Sequence, residues 1–175
     1  MLGRWLYRSR QFFGAAFARA TEDDMAEAWR VLGPGLYSLF RAMPEQHRVH
    51  ALVVYRRVKE AGNSDPALLQ AALLHDTGKY DPVTGRYVTV AHRIAVVLLE
   101  ALPFGKRLLR RLAAPERGNG VVFYPFYLSR RHAALGANLA AEYGASPDVV
   151  RLIAGHHGRA DNPALKLLQA ADEES

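Results

Sequence analysis

The stretch Leu68-Leu69-Gln70-Ala71-Ala72-Leu73-Leu74-His75-Asp76-Thr77-Gly78-Lys79 constrains this chain more than any other. Leu68, Ala71, Ala72 and His75 fall at offsets 0, 3, 4 and 7, one face of a helix, so the imidazole points inward with the core residues. Asp76 follows at the helix end, where burying a carboxylate is costly unless something cationic receives it. The helix stops at Gly78, and Lys79 comes next. A single inward histidine satisfies itself on a backbone carbonyl. A His-Asp doublet closing a nearly all-apolar helix needs two partners at once, and a metal ion supplies both.

A chain of 175 residues is one domain's worth, long enough to bury a real core. It contains no cysteine, which excludes disulfides and thiolate metal sites. Any metal must therefore be held by His, Asp, Glu and water, a donor set that suits Mn, Fe, Mg, Ni or Zn. The formal net charge is +6 and arginine far outnumbers lysine. The cations are scattered over the chain and not gathered into one arm, so a composition bias on solvated helix faces is expected rather than dedicated nucleic-acid binding. The longest apolar run, Ile94 to Leu99, is too short to span a bilayer. Arg4, Arg8 and Arg10 break up the apolar residues near the N-terminus, so no secretory leader is read there and a cytoplasmic location is expected.

Helix signals recur along the whole chain. Residues 1–20 read as a basic, aromatic amphipathic helix; it is expected to pack on its own domain, with a membrane surface as the rival seat. Thr21 followed by Glu22, Asp23 and Asp24 opens a helix that breaks near Gly33-Pro34-Gly35, and a short helix follows. Pro44-Glu45 opens the next, which ends at Ala61-Gly62-Asn63, and Ser64-Asp65-Pro66 caps the central helix. Tyr80 to Arg86 reads as a turn-rich loop, and helical periodicity returns over Val90–Leu102 and Lys106–Ala113. Pro115 to Gly120 reads as a polar, mobile loop. Val121 to Leu128 has the composition of a strand, but Pro125 argues against one. Helices are predicted from Ser129 to Tyr143, from Ser146 to His156 and from Asn162 to about Asp172. The expected fold is all-α, eight to ten segments, with residues 1–43 as a helical segment packed on a domain of residues 44–175.

Other inward polar positions then stand out. His132 is followed by apolar or small residues at +3, +4 and +7; His156 and His157 are preceded by Val149, Val150, Leu152 and Ile153; Asp172 is preceded by Leu165 and Leu168. His50 is followed by Val53 and Val54. Five helices each aim a His or an Asp at one interior, which is how helix bundles build metal sites in their cores. His92 has Ala95, Val96 and Leu99 behind it and is read as structural or substrate-side.

On these residues the chain resembles the HD-domain superfamily of metal-dependent phosphohydrolases. His50-Ala51-Leu52-Val53-Val54, the doublet His75-Asp76 with its Gly78-Lys79 tail, and Leu168-Gln169-Ala170-Ala171-Asp172 look like that family's elements in their order, over roughly residues 44–174. His47 rivals His50 for the first position; Val54, four residues after His50, favours the latter. His132-Ala133-Ala134-Leu135-Gly136 and Gly155-His156-His157 look like the extra ligands of the two-metal branch. The Gly-Tyr-Pro signature of its cyclic-dinucleotide phosphodiesterases is absent, and the insertion between the doublet and His132 is longer than in its compact hydrolases.

The resemblance implies an HD-domain-like bundle with a divalent metal site in its core, of one or two ions, that hydrolyses a nucleotide or related phosphate ester. His50, His75, Asp76 and Asp172 would hold one metal, and His132, His156 and His157 the second, with Asp76 shared; in a one-metal site the latter histidines would donate to phosphate. Lys79 would act beside Asp76 or contact substrate phosphate, unless it only compensates the helix dipole. Arg130 and Arg131 are candidate phosphate clamps with solvated side chains as the alternative. Phe123, Tyr124, Phe126 and Tyr127 form either a nucleobase platform or an aromatic lid. The same resemblance leaves open a di-iron oxygenase on similar ligands, or a nucleotide-binding sensor without turnover.

Overall fold

A computed structural model of the chain describes residues 19–114 and 123–175. The expectations for residues 1–18 and for the loop at 115–120 lie outside the described residues. Within them there are eight α-helices and no strand: α1 Glu22–Ala42, α2 Glu45–Glu60, α3 Pro66–Leu74, α4 Val90–Glu100, α5 Gly105–Leu112, α6 Tyr124–Glu142, α7 Pro147–Gly155 and α8 Pro163–Glu173. None of the described helices is long and apolar enough to cross a membrane.

The start signals act as local chemistry. Thr21 caps α1 in a reciprocal box with Asp24, and Asp65, Ser146 and Asn162 each accept a backbone N–H of the helix they open. A proline follows each of the last three, in the first turn where its missing N–H costs nothing. The expected break in α1 occurs at Gly33, which takes φ 67°, after which the helix resumes to Ala42. Helix α6 begins at Tyr124, five residues before the predicted Ser129, because Pro125 sits in its first turn instead of interrupting a strand.

Helix α3 is the axis of the bundle. Leu68, Ala71, Ala72, Leu73 and Leu74 are all fully buried, so burial runs round the helix and not along one face only. Helices α1, α2, α7 and α8 pack about it. Ala28, Leu32, Leu36, Leu39 and Phe40 of α1 enter the same core as Val54, Val58, Ile153 and Leu168, so the described part of the N-terminal segment is built into the domain. Burying each such Leu or Ile contributes on the order of 2 kcal/mol before entropy is counted. After α3 the chain makes one tight turn, Thr77–Lys79, against α6. That turn places the doublet between α3 and α6.

Candidate metal centre

Two groups of side chains meet around Asp76. On one side His50 Nε2 lies 3.0 Å from Asp172 Oδ1 and 3.3 Å from His75 Nε2, and His75 Nε2 lies 3.5 Å from the same Asp172 oxygen. On the other, His132 Nε2 lies 3.2 Å from His156 Nε2 and 2.8 Å from His157 Nε2. Asp76 joins them: its Oδ1 is 3.6 Å from both His75 and His132 and 4.0 Å from His156, while Oδ2 is 3.6 Å from His50. The structure thus brings all seven predicted ligands into one cluster, drawn from α2, α6, α8 and the ends of α3 and α7. Asp76, His75, His132 and His156 are buried, His50 and Asp172 are partly exposed, and His157 is exposed.

The backbone fixes which nitrogens face inward. His75, His132 and His156 each donate Nδ1–H to the carbonyl three residues back, Ala72, Ser129 and Ile153, at 2.6–2.9 Å. The Ser175 hydroxyl donates to the Asp172 carbonyl and so accepts from His50 Nδ1–H at 3.1 Å. Neutral imidazoles held in this tautomer turn bare Nε2 lone pairs toward one another. Lone pairs 3.2–3.3 Å apart, as in His132–His156 and His50–His75, repel unless a cation or proton lies among them. Asp76 Oδ1 adds a buried anionic oxygen with no hydrogen-bond partner. The ligand atoms of His50, His75 and Asp76, and separately those of His132, His156 and His157, lie within 4.8 Å of one another. Nitrogen and carboxylate donors so placed fit a divalent cation.

Apart from His75, the charge states of the imidazoles agree with that fit. Burial pushes His132 down to about 3 and His156 to about 4, and lowers His50 and His157, so these rings are neutral near pH 7 and ready to ligate. Burial opposes charge on His75 as well, yet Asp76 and Asp172 beside it raise its pKa above the ordinary imidazole value. Burial also opposes the charge on Asp76, but the Lys79 ammonium and then His75, His50 and His132 hold its carboxyl well below the usual range.

Lys79 Nζ meets Asp76 Oδ2 at 2.7 Å across the tight turn, so its partner is the doublet's own carboxylate rather than a helix dipole. Arg130 and Arg131 are exposed. His92 closes a capping box on Thr89, accepting its backbone N–H, which makes it structural. Of the aromatic residues, Tyr124 donates its hydroxyl to Asp81 Oδ2 at 2.5 Å and stacks on Tyr127, while Phe126 meets His92 edge-on. These contacts tie the 80–87 loop and α4 to α6 and describe packing, not an open platform. Sequence reasoning missed Ser175, which orients His50; its only signal is a hydroxyl three residues after Asp172.

The rivalry between His47 and His50 is decided by a tertiary partner. His47 is buried and its Nε2 donates to the Val88 carbonyl at 2.9 Å, turning it away from the cluster. Burial, opposed by Asp76, lowers it from 6.5 to about 4. Between these values the unfolded chain binds a proton that the folded chain refuses, so stability is complete above about pH 6.5 and is lost as pH falls toward 4. The loss attributable to His47 approaches about 3 kcal/mol. His47→Gln keeps a donor for Val88 and is expected to lose less stability than the parent between pH 7 and 4.5. Urea denaturation at a series of pH values measures this; parallel curves would refute it.

No family model, curated protein or solved structure matches the chain.

Proposed function

We propose that the chain is an HD-type, divalent-metal phosphohydrolase acting on a nucleotide or a related phosphate ester. The observation that carries this reading is the partnerless, buried Asp76 Oδ1 set between two groups of imidazoles. His50, His75, Asp76 and Asp172 would hold one divalent ion and His132, His156 and His157 a second; such ions would supply Lewis acidity toward a phosphoryl oxygen and would acidify water near neutral pH. The chain's own groups do the rest. The backbone carbonyls of Ala72, Ser129 and Ile153 fix the tautomers, and Ser175 does so for His50. Asp76, which faces imidazoles of both groups, would serve both sides as a shared carboxylate, and Lys79 balances its charge. The exposed His157 marks the side from which a polar substrate enters.

Elemental analysis of the purified protein, followed by a phosphatase and phosphodiesterase panel with the metal found, tests the reading. Phosphate release is expected without dioxygen consumption. Dioxygen uptake by iron-loaded protein with no phosphate release would replace hydrolysis by oxidation, and tight nucleotide binding without turnover would replace it by sensing. For the two-metal form, His132→Ala is expected to lower the metal content from about two ions per chain to about one. An unchanged count would remove His132 from the ligand set.

A further inference from the structure

Helix α4 buries none of its residues, and the face it turns outward is apolar. Ile94, Val97, Leu98 and Leu102 are each more than half exposed, and Phe104 in the turn before α5 is 80 % exposed. A surface helix ordinarily turns its polar side to water, so an outward apolar face of this extent marks a docking surface. Apart from Glu100 at the end of α4, the charge beside it is equally one-sided. Helix α5 inserts Leu109 beneath the surface and exposes Lys106, Arg107, Arg110 and Arg111, and residues 101–115 contain no acidic residue.

We propose that the α4–α5 hairpin lies on anionic phospholipid, its apolar face entering the boundary between headgroups and acyl chains and its four cations meeting lipid phosphates. Bulky apolar groups beside clustered cations are the physical requirement for that seat. The charge discriminates among occupants. A second copy would bring the same four cations against themselves, and residues 1–18 hold Arg4, Arg8 and Arg10 with no acid, so neither offers complementary charge.

The full chain is expected to float with vesicles of phosphatidylcholine containing about 30 % phosphatidylserine, not with pure phosphatidylcholine, and to be released by salt. The double variant Arg107→Glu, Arg110→Glu is expected to lower the bound fraction at least about tenfold, and Phe104→Ser to weaken it at unchanged charge. Because the chain has no cysteine, Val97→Cys accepts a single environment-sensitive dye, with Val83→Cys in the exposed 80–87 loop as the reference site. Blue-shifted emission at 97 and not at 83 on adding the anionic vesicles supports the proposal. Undiminished binding of the charge-reversed variant overturns it and moves any lipid contact elsewhere in the chain. A dye at 97 already shielded without vesicles also overturns it: shielding that depends on protein concentration means a second copy covers the face, and shielding that does not means the chain's own segment does.

Discussion

Asp76→Asn is expected to abolish metal-dependent hydrolysis and to strip most of the bound metal, while the helical fold persists. The substitution keeps the shape of the side chain and removes the one anionic group common to both halves of the cluster, with Oδ1 3.6 Å from His75 and from His132. Loss of a group that merely orients a metal ligand costs roughly 10–100-fold in affinity or activity, and a ligand shared by two sites should exceed that. Stability follows a different course. In metal-free protein Asp76 is a buried carboxylate whose main counter-charge is Lys79, and removing one partner of a buried pair leaves the other uncompensated, at a cost of about 3–5 kcal/mol. Lys79 keeps some exposure, which lets it reach water and places the cost at the lower end. Metal content, turnover on the substrate found by the panel and helical circular dichroism separate these effects. Full metal occupancy with retained turnover would remove the shared-carboxylate role; an unfolded variant would be answered by Asp76→Glu, which restores the charge and is expected to recover metal binding in part.

The parts of this architecture that were legible are those decided within a few residues. Thr21, Asp65, Ser146 and Asn162 each cap the helix they precede because a side-chain oxygen two or three residues from a free N–H needs no tertiary help. The inward sides of His75, His132 and His156 were visible as offsets from apolar neighbours, and all three rings are buried. What was not legible depends on distant partners. His47 and His50 lie one turn apart on α2, and only the Val88 carbonyl, 41 residues from His47, draws one of them out of the cluster. His156 and His157 are adjacent on the chain with apolar residues behind both, and only the packing around α7 decides that His156 is buried and His157 exposed. The outward face of α4 was hidden for another reason: periodicity reports that a helix is amphipathic but not which side its neighbours will cover.

Gly78→Ala is expected to destabilise the chain by about 3 kcal/mol or more and to empty the half of the centre to which α6 contributes His132. The sequence presents Gly78 as a helix stop, but its φ is not in the left-handed region and the reason it must be glycine is space. A Cβ there would collide with the carbonyl oxygen of His132 and come within 2.5 Å of the Gly136 backbone nitrogen. Both obstacles are backbone, so no side chain can swing aside; α6 itself must retreat from the Thr77–Lys79 turn. That retreat carries His132 away from Asp76, since the carbonyl in the way belongs to the same residue whose imidazole faces the carboxylate 3.6 Å off. Gly136→Ala probes the other wall more gently, because its Cβ would stand 3.0 Å from Gly78 N and from Thr77 Oγ1. Gly62→Ala, where φ is 78° and the space is open, measures the ordinary backbone cost of about 1 kcal/mol. Denaturant midpoints for the three variants, with metal content by elemental analysis, are expected to rank Gly78→Ala lowest on both counts. If Gly78→Ala matches Gly62→Ala in stability and binds metal like the parent, the close seating of the turn on α6 is not what holds His132 and Asp76 together.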